Sequence, residues 1–267
     1  MMGALATVIS KFRRPRAVDG AEGLLRLSVG SATDVGGRQI NEDRVLADSG
    51  IGLSLVADGL GGHDAGEVAS TIAVEIIHRM LSQADIPDFR EAEKLIRAAV
   101  AEANHAVHAL NRANQATQRM SMGTTIVGAW RPDAHDRRLI VFNLGDSRAY
   151  LCRDGELSQL TRDHTLYQAW LDGGSHGPAP DRHYLVACIG VAAEVEPALV
   201  TIRIEPGDSL LLCTDGFYPH LTASRFEAAV AEGGSPDEIC GNLVAEAIDE
   251  GETDNVSLAL LRWSPEA

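Results

Sequence analysis

Four aspartates stand where apolar, strand-like runs stop or start, and this placement constrains the chain more than any other feature. Asp58 closes Leu53-Ser54-Leu55-Val56-Ala57 and is followed by Gly59-Leu60-Gly61-Gly62. Asp146 closes the run from Leu139 to Gly145, and Asp215 closes Leu210-Leu211-Leu212-Cys213-Thr214 ahead of Gly216. Asp254 stands just before Asn255 and the run from Val256 to Leu261. A carboxylate at the edge of a buried strand is costly unless something neutralises it. Any one of these is ordinarily a turn residue. Four at equivalent strand ends, two of them framed as apolar strand, Asp, Gly, point to a shared purpose. Hard oxygen ligands without nearby His or Cys select Mg²⁺ or Mn²⁺ over zinc. Two such cations would offset the four charges and lower the pKa of a shared water, making it a nucleophile at neutral pH.

The glycines add a second constraint. Gly59, Gly61, Gly62 and Gly66 give the backbone a tight path beside such ions, and the Gly59 carbonyl is itself a candidate ligand. A glycine-rich strand-to-helix turn equally suits a nucleotide phosphate. Neither GxxxxGK[ST] nor GxGxxG occurs here, so that alternative loses ground.

The chain carries 38 acidic against 23 basic residues, a net charge of −15, which argues against a nucleic-acid surface. Its four cysteines, Cys152, Cys188, Cys213 and Cys240, show no CxxC spacing and read as inert thiols of a reducing compartment, hence a cytoplasmic protein. No stretch approaches the roughly 18 to 20 apolar residues of a membrane span. Met1–Arg16 places an apolar run before Lys11, Arg13, Arg14 and Arg16, the wrong order for a secretory signal. Residues 1–21 read as a flexible tail ahead of one catalytic domain over 22–264.

Helical spacing of apolar residues predicts helices over Gly66–Gln83 and Phe89–Asn114, with shorter ones over Thr222–Glu232 and Pro236–Asp249. Strands are expected over Leu24–Val29, Arg44–Ala47, Gly52–Ala57, Thr124–Trp130, Leu139–Asn143, Ala149–Arg153, Leu199–Ile204, Ser209–Cys213 and Val256–Trp263, with a hairpin at Asp154-Gly155. Strands in succession with helices inserted as pairs favour α+β layering over a βαβ wind. Leu171–Arg182, rich in Gly and Pro, reads as a mobile surface segment.

At this point the residues resemble the protein phosphatase 2C family, the metal-dependent serine/threonine phosphatases, in its compact bacterial form. Gly37-Arg38-Gln39-Ile40-Asn41-Glu42-Asp43 is similar to the family's first signature, and Val56–His63 with Gly66–Ser70 to its metal-binding signature. Met122-Gly123-Thr124-Thr125, Asn143–Arg148 with Leu160–His164, Leu211–Gly216 and Asp254-Asn255-Val256-Ser257 complete the series in order. Two departures stand out, the first bearing on substrate choice and the second on which group protonates the leaving alcohol. Val186-Ala187-Cys188-Ile189-Gly190 stands where the family often has Thr-Arg-Ala-x-Gly, and Leu60 occupies the position of a histidine in eukaryotic members.

The resemblance implies a four-layer α-β-β-α sandwich, two central, mainly antiparallel sheets flanked by helix pairs. It implies hydrolysis of phosphoserine and phosphothreonine by direct attack of a water at a two-metal Mn²⁺ or Mg²⁺ centre. Carried over residue by residue, Asp58 would bridge both ions, with the Gly59 carbonyl on one and Asp215 and Asp254 on the other. Asp146 would join Asp215 around a third, weaker ion. Arg38 would grip the substrate phosphate with its planar fork, though an arginine in a turn is otherwise an ordinary surface residue. Glu42 and Asp43 would stand behind the ligands and order their waters. Phosphorylated proteins and an opposing serine/threonine kinase are the implied partners of a monomeric enzyme.

Other phosphatase chemistries lack their residues: no cysteine is followed six positions later by Arg, and no Asp-x-Asp pair occurs. Ser147 and the scattered histidines form no nucleophile–base pair. His63 and His164 are weaker candidates for a role at the site, and His105 and His108 read as solvated. Two rival readings remain: a pseudophosphatase that binds without hydrolysis, and a phosphatase of small phosphorylated molecules.

Overall fold

Strands made wholly of apolar or small residues need cover on both faces, and in this chain they occupy the centres of two stacked sheets. The computed structural model describes residues 24–61, 65–84, 88–115 and 121–266. The tail expected over residues 1–21, and Gly62 and His63, lie outside the described residues. In chain order the strands are β1 (Leu25–Asp34), β2 (Arg44–Asp48), β3 (Leu53–Ala57), β4 (Gly59–Leu60), β5 (Gly123–Thr124) and β6 (Ile126–Trp130). They continue as β7 (Arg138–Leu144), β8 (Arg148–Arg153), β9 (Glu156–Gln159), β10 (Ala198–Arg203), β11 (Ser209–Cys213) and β12 (Val256–Pro265). One five-stranded sheet runs β10-β7-β6-β3-β2 and the other β1-β12-β11-β8-β9. The pairings between these strands are all antiparallel.

The helices are α1 (Ala65–Ser82), α2 (Phe89–Gln115), α3 (Leu166–Asp172), α4 (Ala223–Ala231) and α5 (Pro236–Asp249). Side-chain alternation along each strand then sorts three apolar layers. Leu53, Leu55 and Phe142 pack outward against Ala73 and Ile77 of α1 and Ile96 and Val100 of α2. Val56, Val127 and Val141 face Leu210, Leu212, Leu261 and Trp263 between the sheets. Leu211, Leu258 and Leu260 turn the other way, onto Phe226 of α4 and Ile239 and Leu243 of α5. The start of α5 is fixed by a reciprocal cap: Ser235 accepts from the Glu238 N–H, while Glu238 accepts from the Ser235 N–H. The result is the expected α-β-β-α sandwich.

Three local departures bear on the site. The single strand expected over Thr124–Trp130 is broken at Thr125: Gly123–Thr124 pairs with Gly59–Leu60, whereas Ile126–Trp130 stays in the sheet. The first strand runs on to Asp34 because its polar end keeps pairing with β12, as far as Asp34 opposite Val256. Backbone pairing needs no apolar side chains, so the extension left no hydrophobic signal. Finally, Leu171 and Asp172 belong to α3, started by Thr165, whose Oγ1 accepts the Gln168 N–H at 3.0 Å. The exposed glycine-rich stretch begins only after it. Among the described residues no helix is long and apolar enough to cross a membrane.

Candidate metal centre and phosphate site

The topology gathers the aspartates. Strands β3 and β7 both pair antiparallel with β6, so Asp58 and Asp146 leave the first sheet on the same side. In the second sheet β11 and β12 are antiparallel neighbours, which sets Asp215 at the end of one beside Asp254 at the start of the other. Each carboxylate then feels the others. Burial pushes Asp58 well above the usual carboxylate range, and the charges of Asp43, Asp215, Asp146 and Asp254 push it further. Asp146 is raised to about 7, by burial and then by Asp215 and Asp163. Asp215 is raised by burial and by Asp254, against relief from the neighbouring Asp58 and His183.

The backbone around Asp58 is clamped rather than merely turned. Its N–H donates to Thr125 Oγ1 at 3.0 Å, and its carbonyl accepts from the Thr125 N–H at 2.9 Å and from Thr124 Oγ1 at 2.8 Å. Thr125 Oγ1 also lies 2.7 Å from Ser147 Oγ, tying the Asp58 turn to the residue after Asp146. The break in the strand at Thr125 is what frees these groups. Gly59 is required by close approach: a Cβ there would meet Gly66 O at 2.4 Å and Glu42 O at 2.5 Å.

Glu42 and Asp43 are tied to the backbone and side chains around these aspartates. Glu42 Oε1 accepts the Gly66 N–H at 3.1 Å, at the start of α1, and burial raises its pKa. Asp43, only 2% exposed, accepts from Thr214 Oγ1 at 3.0 Å. Burial raises it to about 7 despite hydrogen bonds from Ser257 and Thr214, with Asp215 and Asp254 adding to the rise. Arg38 lies at the rim with its Nη2 2.8 Å from Asp254 Oδ2.

Crowded, desolvated carboxylates with raised affinity for protons hold excess negative charge, and a hard divalent cation suits an all-oxygen donor set. Among the described residues, no group of three His, Cys, Asp or Glu side chains forms a ready-made metal cage. The two observations are compatible for Mg²⁺ or Mn²⁺, since Mg²⁺ in particular usually keeps several waters and takes only one or two carboxylates directly.

His164 proves to be a brace: its Nδ1 accepts the Gly145 N–H at 3.1 Å, just before Asp146, and burial lowers its pKa. His105 is exposed and His108 half-buried on α2. Sequence reasoning passed over other residues. His183, from the glycine-rich stretch, reaches Asp215 with Nδ1 to Oδ2 at 3.6 Å. Asn104 and Asn111, buried on α2, bind the 188–193 loop, Asn104 Oδ1 and Asn111 Nδ2 both meeting Gly190. A polar residue at a core position of a helical pattern was the available signal for both asparagines; His183 had none.

The stacked sheets, their helix pairs and the carboxylates at one end define the architecture of the metal-dependent phosphatases. A family model described as protein phosphatase 2C matches residues 35–236, and the chain belongs to that family. The serine/threonine phosphatase stp of Listeria welshimeri is 30% identical over 215 residues, covering 78% of this chain and 83% of its own. The catalytic domain of the serine/threonine phosphatase PstP, solved in complex with two manganese ions, superposes with a TM-score of 0.76 at 32% identity. That match covers 90% of this chain and 99% of the other. PppA, a regulatory component of the type VI secretion system in Pseudomonas aeruginosa, gives a TM-score of 0.77 at 26% identity, covering 91% and 100%.

Proposed function

We propose that this chain is a serine/threonine phosphoprotein phosphatase dependent on Mn²⁺ or Mg²⁺. Asp58, the Gly59 carbonyl, Asp215 and Asp254 hold two ions, and Asp146 with Asp215 holds a weaker third. The observation that carries the reading is the mutual crowding of Asp58, Asp146, Asp215 and Asp254 at adjoining strand ends. Bound there, the ions supply an activated water and neutralise charge at the phosphate. Arg38 orients the phosphate through two parallel N–H donors, for which it must let go of Asp254. Glu42, bonded to the Gly66 N–H, and Asp43, bonded to Thr214 beside Asp215, stand behind these ligands and order the waters on the ions.

Retention of all four aspartates favours the enzyme over a pseudophosphatase. Four free thiols, three of them buried, support a reducing, cytoplasmic setting, where a monomeric enzyme would work on phosphorylated proteins opposite a serine/threonine kinase. The test is hydrolysis of an aryl phosphate and a phosphothreonine peptide, with Mn²⁺ and with excess chelator. Turnover that persists in chelator would remove the metal assignment. Preference for phosphorylated metabolites over the peptide would move the substrate to the small-molecule class.

A further inference from the structure

We infer that Asn255 is the positioning residue for Arg38, holding the segment from Val35 to Glu42 in the form that aims the guanidinium at the site. Resting on the reading of Arg38 as the phosphate grip, the inference starts from the segment itself, which lies between β1 and β2 and contains no strand or helix. Its turns depend on contacts from elsewhere. The Asn255 side chain makes three of them: Nδ2 donates to Val35 O at 2.9 Å and to Ile40 O at 3.0 Å, and Oδ1 accepts the Glu42 N–H at 2.8 Å. These brackets fall on both sides of Arg38. Val35 O also accepts the N–H of Arg38 itself at 3.2 Å, so one carbonyl joins the turn to the amide that spans it.

The residue type is demanding. Asn255 is 7% exposed, and each of its three bonds meets a backbone group of the facing loop. Aspartate would lose both donors and set a charge against two carbonyls. Alanine would lose all three bonds. The backbone of Asn255 has a separate task, since its N–H donates to Asp254 Oδ1 at 2.8 Å. A side-chain substitution therefore leaves the orientation of Asp254 in place while releasing the Arg38 loop. That separation distinguishes a positioning role from a general structural one.

The experiment is a double-mutant cycle of Asn255→Ala and Arg38→Ala, read by competitive inhibition with inorganic phosphate, KM and kcat on an aryl phosphate, and Mn²⁺ calorimetry. Asn255→Ala is expected to weaken phosphate inhibition and raise KM by about tenfold, with smaller change in kcat and unchanged Mn²⁺ stoichiometry and affinity. In the Arg38→Ala background the same substitution should change phosphate affinity by less than about twofold, because the two act as one unit. Asn255→Asp, which keeps size and the acceptor for the Glu42 N–H, runs in parallel should the alanine variant not fold, and must show the same phosphate loss and coupling. Wild-type phosphate affinity in a folded Asn255 variant, or an undiminished loss in the Arg38→Ala background, overturns the inference. Wild-type phosphate affinity in Arg38→Ala alone would instead overturn the underlying reading of Arg38.

Discussion

Arg38 and Asp254, 216 positions apart in sequence, meet with Nη2 2.8 Å from Oδ2. The pair joins the proposed phosphate grip to a proposed metal ligand, and Oδ2 cannot serve a cation and the guanidinium equally well. Both side chains are well exposed, at 56% and 38%, so the pair contributes no more than about 1 kcal/mol. A contact that weak opens readily once a cation takes the carboxylate. On the proposed reading, loading the centre would free Arg38 for phosphate.

The first prediction follows from that exchange. Arg38→Ala should lower kcat/KM on a phosphopeptide by about 10- to 100-fold, the effect of losing a charge-assisted hydrogen bond. Mn²⁺ affinity should hold or improve by up to about fivefold, since a competitor for Asp254 worth about 1 kcal/mol has gone. Calorimetry showing clearly weaker Mn²⁺ binding would mean that Arg38 supports the ions rather than competing for their ligand.

Asp58→Asn tests the centre of the cluster. Hydrolysis should fall by several orders of magnitude, with fewer ions bound by calorimetry. In chelator the variant should melt at or above the wild-type temperature, because burial and four neighbouring carboxylates disfavour the charge on Asp58. Each kcal/mol of relief would raise Tm by about 2–4 °C. Undiminished turnover with two ions bound would put the wrong aspartate at the centre.

The carboxylates also set a pH dependence for the ion-free protein. Asp43 and Asp146 rise from 3.8 to about 7 on folding, so between those values the folded state binds more protons than the unfolded state. Their contribution is fully present below about pH 4 and is lost as pH rises through 7. In chelator, the part of the melting temperature due to these groups should therefore fall from pH 5 to pH 7.5. Saturating Mn²⁺ should flatten or reverse the slope by holding the carboxylates ionised. Identical pH profiles with and without Mn²⁺ would separate these groups from the ions.

A fourth prediction concerns the layer between the sheets. Among the described residues Ser54 Oγ is buried without a hydrogen-bond partner, in a strand whose Leu53 and Leu55 face the opposite layer. An orphaned buried hydroxyl costs free energy, so Ser54→Ala should stabilise the protein by about 1 kcal/mol. Thermal denaturation reads this directly; a lower Tm would show that the hydroxyl is satisfied by an ordered water.

Local pattern along the chain laid out the central strands, the longer helices and the candidate carboxylates, but not α3 or the short β4–β5 pair. Leu53–Ala57 and Ser209–Cys213 are apolar at nearly every position, which dictates central strands, and the helical spacing in Pro236–Asp249 matches α5 end to end. These are local signals, carried by period and composition. Which groups meet follows from the packing of distant segments. The three bonds from Asn255 to the Val35–Glu42 segment span more than 200 positions and join backbone groups, which have no residue-specific signal. The same holds for the break at Thr125, fixed by the facing Asp58 turn, and for His183, brought to Asp215 by a segment without periodicity. Side-chain pattern is written along the chain, whereas hydrogen bonds to distant backbone exist only once the sheets have stacked.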